Sequence, residues 1–248
     1  MTSPSLDDIR HDIDRIDDAI LALLGQRAAA TARVRSQKSD DGTLAQSPIR
    51  PAREAAMLRR LMAKRGPQVE ADLLVRLWRV ILVNSTLSQA PVRLHVASPA
   101  GRLDLRDHFG PMPIVEHQSA GEALAALTVT PGDIAALPAD AGWAAELALG
   151  RSSAHVIATL PMIANGDSPS FLIFGMAPAH PSGGDVTLLI ATEGARLYGG
   201  VQAHWQLASE RYRAFAISGF LTCDDPLLLV HKTGGFRLAG RFPSAIKV

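Results

Sequence analysis

Two long cationic side chains, Arg27 and Lys38, stand 11 residues apart in a segment that contains no proline. Eleven residues make three turns of α-helix, so both side chains lie on one face, about 16 Å apart along the axis. Two such side chains leaning toward each other can bracket a small dianion. Taken alone, the pair equally suits solvated surface charges, the ordinary state of arginine and lysine.

Further polar residues follow in order along the first 90 residues. An Arg-Glu pair, Arg53 and Glu54, comes at the start of a predicted second helix. Ser85 and Gln89 come near the end of a predicted third helix, four residues apart and therefore on one face. Each residue alone is typical of a protein surface. Only the whole set, occurring together, indicates a binding site for a charged small molecule.

Apolar spacing predicts the three helices that carry this set. Apolar residues recur every three or four positions from about Ser5 to about Gln37, which predicts one uninterrupted helix with Ser5 as its N-cap. Pro51 in the first turn and Gly66-Pro67 after the end frame a second helix over about 51–62. A third helix is predicted over about 69–88.

The predicted first helix is too long for a small helical domain. At 1.5 Å per residue it extends on the order of 50 Å, beyond the diameter of a domain of about 90 residues. Two short helices cannot cover its apolar stripe. The length therefore predicts a homodimer in which two long helices pair and share their cores.

In this order the motifs resemble the all-α dimeric chorismate mutases over residues 6–89. The segments that carry the resemblance are Ile9-Arg10-His-Asp-Ile13-Asp-Arg-Ile16-Asp17, Leu23-Leu24-Gly-Gln-Arg27, Lys38, Pro51-Ala-Arg53-Glu54 and Asn84-Ser85-Thr-Leu-Ser-Gln89. The resemblance implies chorismate mutase activity, converting chorismate to prephenate in aromatic amino-acid biosynthesis, without a metal or other cofactor. It also implies an intertwined helical dimer.

The resemblance assigns a role to each matching residue. Arg10 would reach into the partner subunit's site, in keeping with its distance of about 25 Å from Arg27 along the helix. Catalytic roles fall on Arg27, Lys38, Glu54 and Gln89. For substrate binding, the resemblance implies that Arg27 and Arg53 bind and position the substrate carboxylates. Lys38 and Gln89 would donate hydrogen bonds to the ether oxygen. Glu54 would accept a hydrogen bond from the ring hydroxyl, and Ser85 would contact a substrate carboxylate.

One position departs from the family pattern. Where many members carry Asp three residues before the Arg-Glu pair of residues 53 and 54, this chain has Arg50. Arg50 either adds positive potential around a dianionic substrate or is simply solvated, and the sequence favours neither reading. We expect the departure to alter substrate binding more than chemistry.

The composition sets limits on other functions. The chain has 25 Lys and Arg residues and 24 Asp and Glu residues, which leaves a net charge of +1. This positive charge is too small for a protein that binds the nucleic-acid backbone or an anionic membrane. The single cysteine excludes a disulfide framework and any multi-thiolate metal site. Without an apolar signal core or a run of about 20 apolar residues, we expect a cytoplasmic protein.

The chain changes character near Pro91, which predicts two domains, 1–90 and 91–248. The first part holds only 3 of the 20 glycines and 4 of the 16 prolines. The second part reads as α/β passing into α+β. It predicts strands near 93–97, 113–116, 133–138, 155–160, 170–175 and 185–192, with helices near 120–127, 143–149 and 197–209, followed by further elements near 214–222, 226–231 and 235–239.

A weaker resemblance concerns the second part, which is similar to a shortened prephenate dehydratase module with an ACT-like tail from about residue 185. The Thr-Arg-Phe signature of the dehydratases is replaced by Pro169-Ser170-Phe171, so we expect no dehydratase activity. Its seven histidines have no metal-ligand spacing. Two alternatives remain open: a bifunctional mutase and dehydratase, and a catalytically silent helical dimerisation module that carries an effector-binding domain.

Overall fold

The chain has an N-terminal helical region and a C-terminal domain built on a mixed nine-stranded sheet. A computed structural model describes residues 4–40, 48–97, 101–163 and 168–247, without the side chains of 38–40. The helices are α1 Leu6–Asp40, α2 Pro51–Lys64, α3 Ala71–Leu87, α4 Arg102–Phe109, α5 Ala120–Val129, α6 Ala144–Ala148 and α7 Pro226–Thr233. The strands are β1 Leu94–Val96, β2 Ile114–Glu116, β3 Ile134–Pro138, β4 His155–Leu160, β5 Phe171–Gly175, β6 Asp185–Thr192, β7 Trp205–Ala208, β8 Tyr212–Ser218 and β9 Arg237–Pro243.

The chain divides into two compact units, Met1–Ala45 and Gln46–Val248. The described part of the first unit contains α1, an uninterrupted helix of 35 residues, as its apolar spacing predicts. At its start the Ser5 hydroxyl accepts from the Asp8 backbone N–H at 3.1 Å, and the Asp8 carboxylate accepts from Ser5 N–H at 2.9 Å. This reciprocal pair of hydrogen bonds confirms Ser5 as the N-cap of the helix.

The second unit holds α2, α3 and the whole sheet, whose strand order is β2-β1-β3-β5-β4-β9-β6-β8-β7. Strands β1, β2 and β3 run parallel, and β6, β7 and β8 form an antiparallel run. Strand β9 joins the two halves, pairing parallel with β4 and antiparallel with β6. A Cβ at Gly240 would overlap the Val156 carbonyl, so this junction requires glycine.

Helices cover both faces of the sheet. On one face α5 and α6 bury Leu124, Leu127 and Trp143 against strand residues such as Phe174. On the other face α3 and α4 bury Val83, Leu105 and Phe109 against β1, β3 and β5. Helix α2 packs near the end of the chain, where Leu58, Leu74, Val75 and Ile246 form a separate apolar cluster. Helix α3 thus shares a buried core with the sheet, and α2 packs on α3 and on the segment that follows β9.

Most predicted elements are present, and two differences are informative. The predicted helix near 197–209 is wrong, because the segment contains β7 and residues 205–208 alternate between covered and exposed side chains. Gly199 and Gly200, both at positive φ, are unsuited to a helix there. The apolar pattern does not predict helix α4, because this helix buries only Leu105 and Phe109, four residues apart, in an otherwise polar segment.

Candidate active site

Helix α1 carries three of the candidate residues, Arg10, Arg27 and Lys38. Arg10 is exposed, and its guanidinium contacts the Asp7 carboxylate of its own helix at 3.1 Å. Arg27 is partly covered, and burial lowers the pKa of its guanidinium, which still remains charged at neutral pH. Lys38 lies in the last turns of the helix, and its side chain is outside the described residues.

The start of α2 places the Arg-Glu pair. Pro51 occupies the first helical position, and Arg50 stands at the N-cap with an exposed side chain and no side-chain cap bond. Arg53 is exposed. Glu54 lies in the first turn, where the helix dipole favours a negative charge. Its side chain turns inward and is only 15% exposed.

Glu54 has a partner that the sequence set did not include. Arg79 Nη1 donates to Glu54 Oε2 at 2.5 Å, joining α2 to α3 by an ion pair. The Arg79 side chain is only 8% exposed, and its guanidinium carbon lies 5.9 Å from the centre of the Phe109 ring. Arg79 Nε is buried with no hydrogen-bond partner among the described residues. A signal for this residue existed, because Arg79 falls between Val75 and Val83 on the apolar stripe of α3.

The end of α3 places Ser85 and Gln89 on one side of the helix, both partly buried. The Ser85 hydroxyl donates to the Ile81 carbonyl at 2.7 Å. Gln89 Nε2 donates to the Ser85 carbonyl at 3.0 Å, just beyond the last helical residue. The Gln89 amide is therefore held to the helix end. Arg50, Arg53, Glu54, Ser85 and Gln89 belong to the second unit, whereas Arg10, Arg27 and Lys38 belong to the first.

A histidine network that spacing did not reveal lies at the parallel edge of the sheet. Asp133, which is 1% exposed, accepts from the backbone and side chain of Arg93 and contacts His95 Nε2 at 3.1 Å. His95 Nδ1 lies 2.8 Å from His117 Nε2. Burial and the neighbouring His95 lower the pKa of His117, against a smaller opposing effect of Glu122. These groups hydrogen-bond to one another and link β1 to the residue that precedes β3.

Comparison with known proteins gives one clear family match. Residues 9–90 match the family described as "Chorismate mutase type II". No curated protein matches the chain significantly. A solved structure titled "GqqA- a novel type of quorum quenching acylases" aligns with 62% of this chain and 95% of its own, at 14% identity and a TM-score of 0.39. Similarity at that level supports no conclusion about fold or function.

No described helix is long and apolar enough to cross a membrane.

Proposed function

We propose that the protein is a chorismate mutase, which rearranges chorismate to prephenate. The observation that carries the proposal is the family match over residues 9–90, which contains every residue of the candidate set. The reaction is a unimolecular [3,3] rearrangement and needs no nucleophile. Catalysis then consists of holding a compact conformer and stabilising charge on the breaking ether oxygen.

The side chains of the set suit this task. Arginines bind carboxylates through rigid forks, which fits Arg27 and Arg53 to the two carboxylates of the substrate. Lys38 and Gln89 are the proposed donors to the ether oxygen. The 3.0 Å bond from the Gln89 amide to the Ser85 carbonyl supports this role, because a donor that is already oriented stabilises developing charge best.

Glu54 is the proposed acceptor for the ring hydroxyl. Its ion pair with Arg79 fixes the carboxylate, while a carboxylate retains further lone-pair sites for a second donor. Arg79 is therefore proposed as a positioning residue, acting through Glu54 and not by touching substrate. Arg50, exposed at the N-cap of α2, is proposed to tune substrate binding.

We also propose that the working form is a homodimer with Arg10 serving the partner subunit's site. The apolar stripe of α1 supports this proposal, because Ile9, Ile13, Ile16 and Ile20 are each 44–52% exposed. A stripe of that length is a large apolar surface for its unit to leave without cover. Pairing with a second α1 would cover it.

A direct assay tests the proposed activity. Purified full-length protein is mixed with chorismate, and loss of chorismate is followed by absorbance while prephenate and phenylpyruvate are measured separately. We expect prephenate without phenylpyruvate. Phenylpyruvate would indicate a second, dehydratase activity, and no turnover of chorismate by folded protein would contradict the proposal.

Subunit mixing tests the shared site. Arg10→Ala and Lys38→Ala proteins, each nearly inactive alone, are mixed and allowed to exchange subunits. A mixed dimer would contain one site with both defects and one site with neither, so activity should return. Exchange is verified by a mass-tagged subunit, and proven exchange without recovery would remove Arg10 from the neighbouring site.

A further inference from the structure

Helix α4 of the C-terminal domain contacts the ion pair that holds Glu54. The Arg79 guanidinium donates to the Glu54 carboxylate, and its central carbon lies over the Phe109 ring of α4, 5.9 Å from the ring centre. That separation is within the range of cation–π contacts, in which the negative face of an aromatic ring attracts a cation. Glu54 of α2, Arg79 of α3 and Phe109 of α4 therefore form one chain of contacts.

These three side chains are largely removed from water. Arg79 and Phe109 are each 6% exposed, and the Glu54 side chain is 15% exposed. Charges interact more strongly away from water, and a desolvated cation–π contact is stronger than an exposed one. The Phe109 ring is therefore placed to influence the orientation of the guanidinium.

Among the described residues, the Arg79 guanidinium has one hydrogen-bond partner, the Glu54 carboxylate. Its Nε is buried and has no hydrogen-bond partner in that part of the chain. A planar group that is hydrogen-bonded at one end can still turn about that bond, and an aromatic ring packed against its plane limits the movement. The Phe109 ring thus supplies a second restraint on the group that holds Glu54.

His108 completes the surroundings of this contact. Its ring packs edge-on against the Phe109 ring, with the ring centres 4.6 Å apart. Burial, and to a smaller extent the positive charge of Arg79, lower the pKa of His108 well below its usual value. At neutral pH the His108 ring is therefore uncharged, and it packs beside Phe109 without adding a second cation near Arg79.

We propose that Phe109 is a positioning residue for the mutase reaction, acting on Glu54 through Arg79. This inference rests on the proposed chorismate mutase activity and on Glu54 as the acceptor for the ring hydroxyl. Phe109 lies outside residues 9–90, the part of the chain that matches the chorismate mutase family, so the family match assigns it no role. The C-terminal domain thereby contributes to the mutase site itself.

Steady-state kinetics of full-length variants test the inference. Phe109→Leu removes the ring but keeps an apolar side chain, and we expect kcat/KM for chorismate to fall about fivefold or more. Phe109→Tyr keeps the ring and should hold kcat/KM within about twofold of the wild-type value. Phe215→Leu, which removes a ring buried in a different apolar cluster, should leave kcat/KM unchanged.

A double-mutant cycle separates positioning from a general loss of packing. Arg79→Gln removes the cation, so Phe109→Leu should change kcat/KM less than about twofold further in that background. A purely structural role would lower kcat/KM by the same factor in both backgrounds. Thermal unfolding followed by circular dichroism verifies that each variant is folded, and Phe109→Met provides the same comparison if the leucine variant is not.

The outcomes distinguish this inference from the proposed function. Wild-type protein that does not turn over chorismate would contradict the mutase activity and, with it, this role of Phe109. Active wild-type protein, together with a folded Phe109→Leu variant whose kcat/KM stays within about twofold, would overturn the inference alone. Equal effects of Phe109→Leu in the wild-type and Arg79→Gln backgrounds would also overturn it.

Discussion

Helix α1 and the α2–α3 pair are both amphipathic, yet they bury their apolar residues in different ways. Ile13 and Ile20 of α1 are 52% and 50% exposed, whereas Leu58 of α2 and Val83 of α3 are 0% and 3% exposed. The sheet of the same chain covers Val83 of α3, whereas Leu58 of α2 is covered by α3 and by Ile246, which follows β9. The difference teaches that α2 and α3 depend on the C-terminal domain, while α1 depends on a surface that its own unit does not provide.

The outer face of α3 behaves like α1. Leu73, Leu77 and Val80 are 49–52% exposed, on the side of the helix opposite the buried Val75. Helix α3 therefore has two apolar faces, one for the sheet and one without cover in its own unit. A helix that is apolar on both faces is typical of an element that is buried from two directions.

The largest expected effect comes from removing the sheet. A fragment ending at Gln89 would expose Leu58, Leu74 and Val83, each worth about 1.5–3 kcal/mol when buried. We expect the fragment to lose cooperative thermal unfolding, measured by circular dichroism. A second fragment ending at Val96 controls for fraying at Gln89. Cooperative unfolding together with mutase activity in either fragment would instead support an independent domain that ends near residue 90.

The next effect concerns α1. The double substitution Ile13→Asp with Ile20→Asp should dissociate the proposed dimer, because each buried isoleucine contributes about 1.5–3 kcal/mol and a dimer buries each one twice. We expect the dissociation constant to rise at least about a hundredfold, measured by sedimentation equilibrium. Asp14→Asn, on the polar side of the same helix, is the matched control. A wild-type protein that is monomeric at micromolar concentration would contradict the comparison.

Lys38→Ala should lower kcat far more than it raises KM, because its ammonium would meet charge that exists mainly in the transition state. A loss of about 2.7 kcal/mol or more is the scale for removing such a donor. Lys64→Ala at the end of α2 is the control for loss of a positive charge. A kcat within a few-fold of the wild-type value would remove Lys38 from the site.

Arg59 offers a milder test of how α2 is held. Its guanidinium donates to the carbonyls of Ser182, Gly184 and Ser244 at 3.1, 2.7 and 2.9 Å. Arg59→Ala should lower the free energy of unfolding by about 1.5–3 kcal/mol, measured by urea denaturation. The exposed neighbour Arg60→Ala is the control. Equal effects of the two substitutions would show that this contact does not hold α2 to the strands.

The sequence predicts the helices and the candidate set better than the contacts between them. Periodicity predicts α1, α2 and α3 closely, because apolar spacing depends on local geometry alone. It does not reveal that α2 and α3 pack on the C-terminal domain, because an apolar stripe does not specify which surface buries it. The Glu54–Arg79 ion pair and the Asp133–His95 contact were missed for the same reason, because both join residues that are distant in sequence.

The smallest expected effect is a pH dependence centred on His108. Burial, with a lesser effect of Arg79, lowers the pKa of this ring in the folded protein. Well above pH 6.5 the ring is neutral in both the folded and the unfolded state, so it does not affect the free energy of unfolding. As pH falls below that value the unfolded chain takes up a proton and the folded chain does not, so the free energy of unfolding decreases, by at most about 1.4 kcal/mol per pH unit.

His117 and His155 also have lowered pKa values and act in the same direction, which makes the difference between variants the informative quantity. His108→Gln should flatten the decline measured by urea unfolding between about pH 5 and 7, whereas His180→Gln, an exposed ring, serves as the control. Parallel pH profiles for wild-type and His108→Gln proteins would show that His108 is protonated as easily in the folded protein as in the unfolded chain. The space between α3 and α4 would then be open to water, although Arg79 beside it is buried.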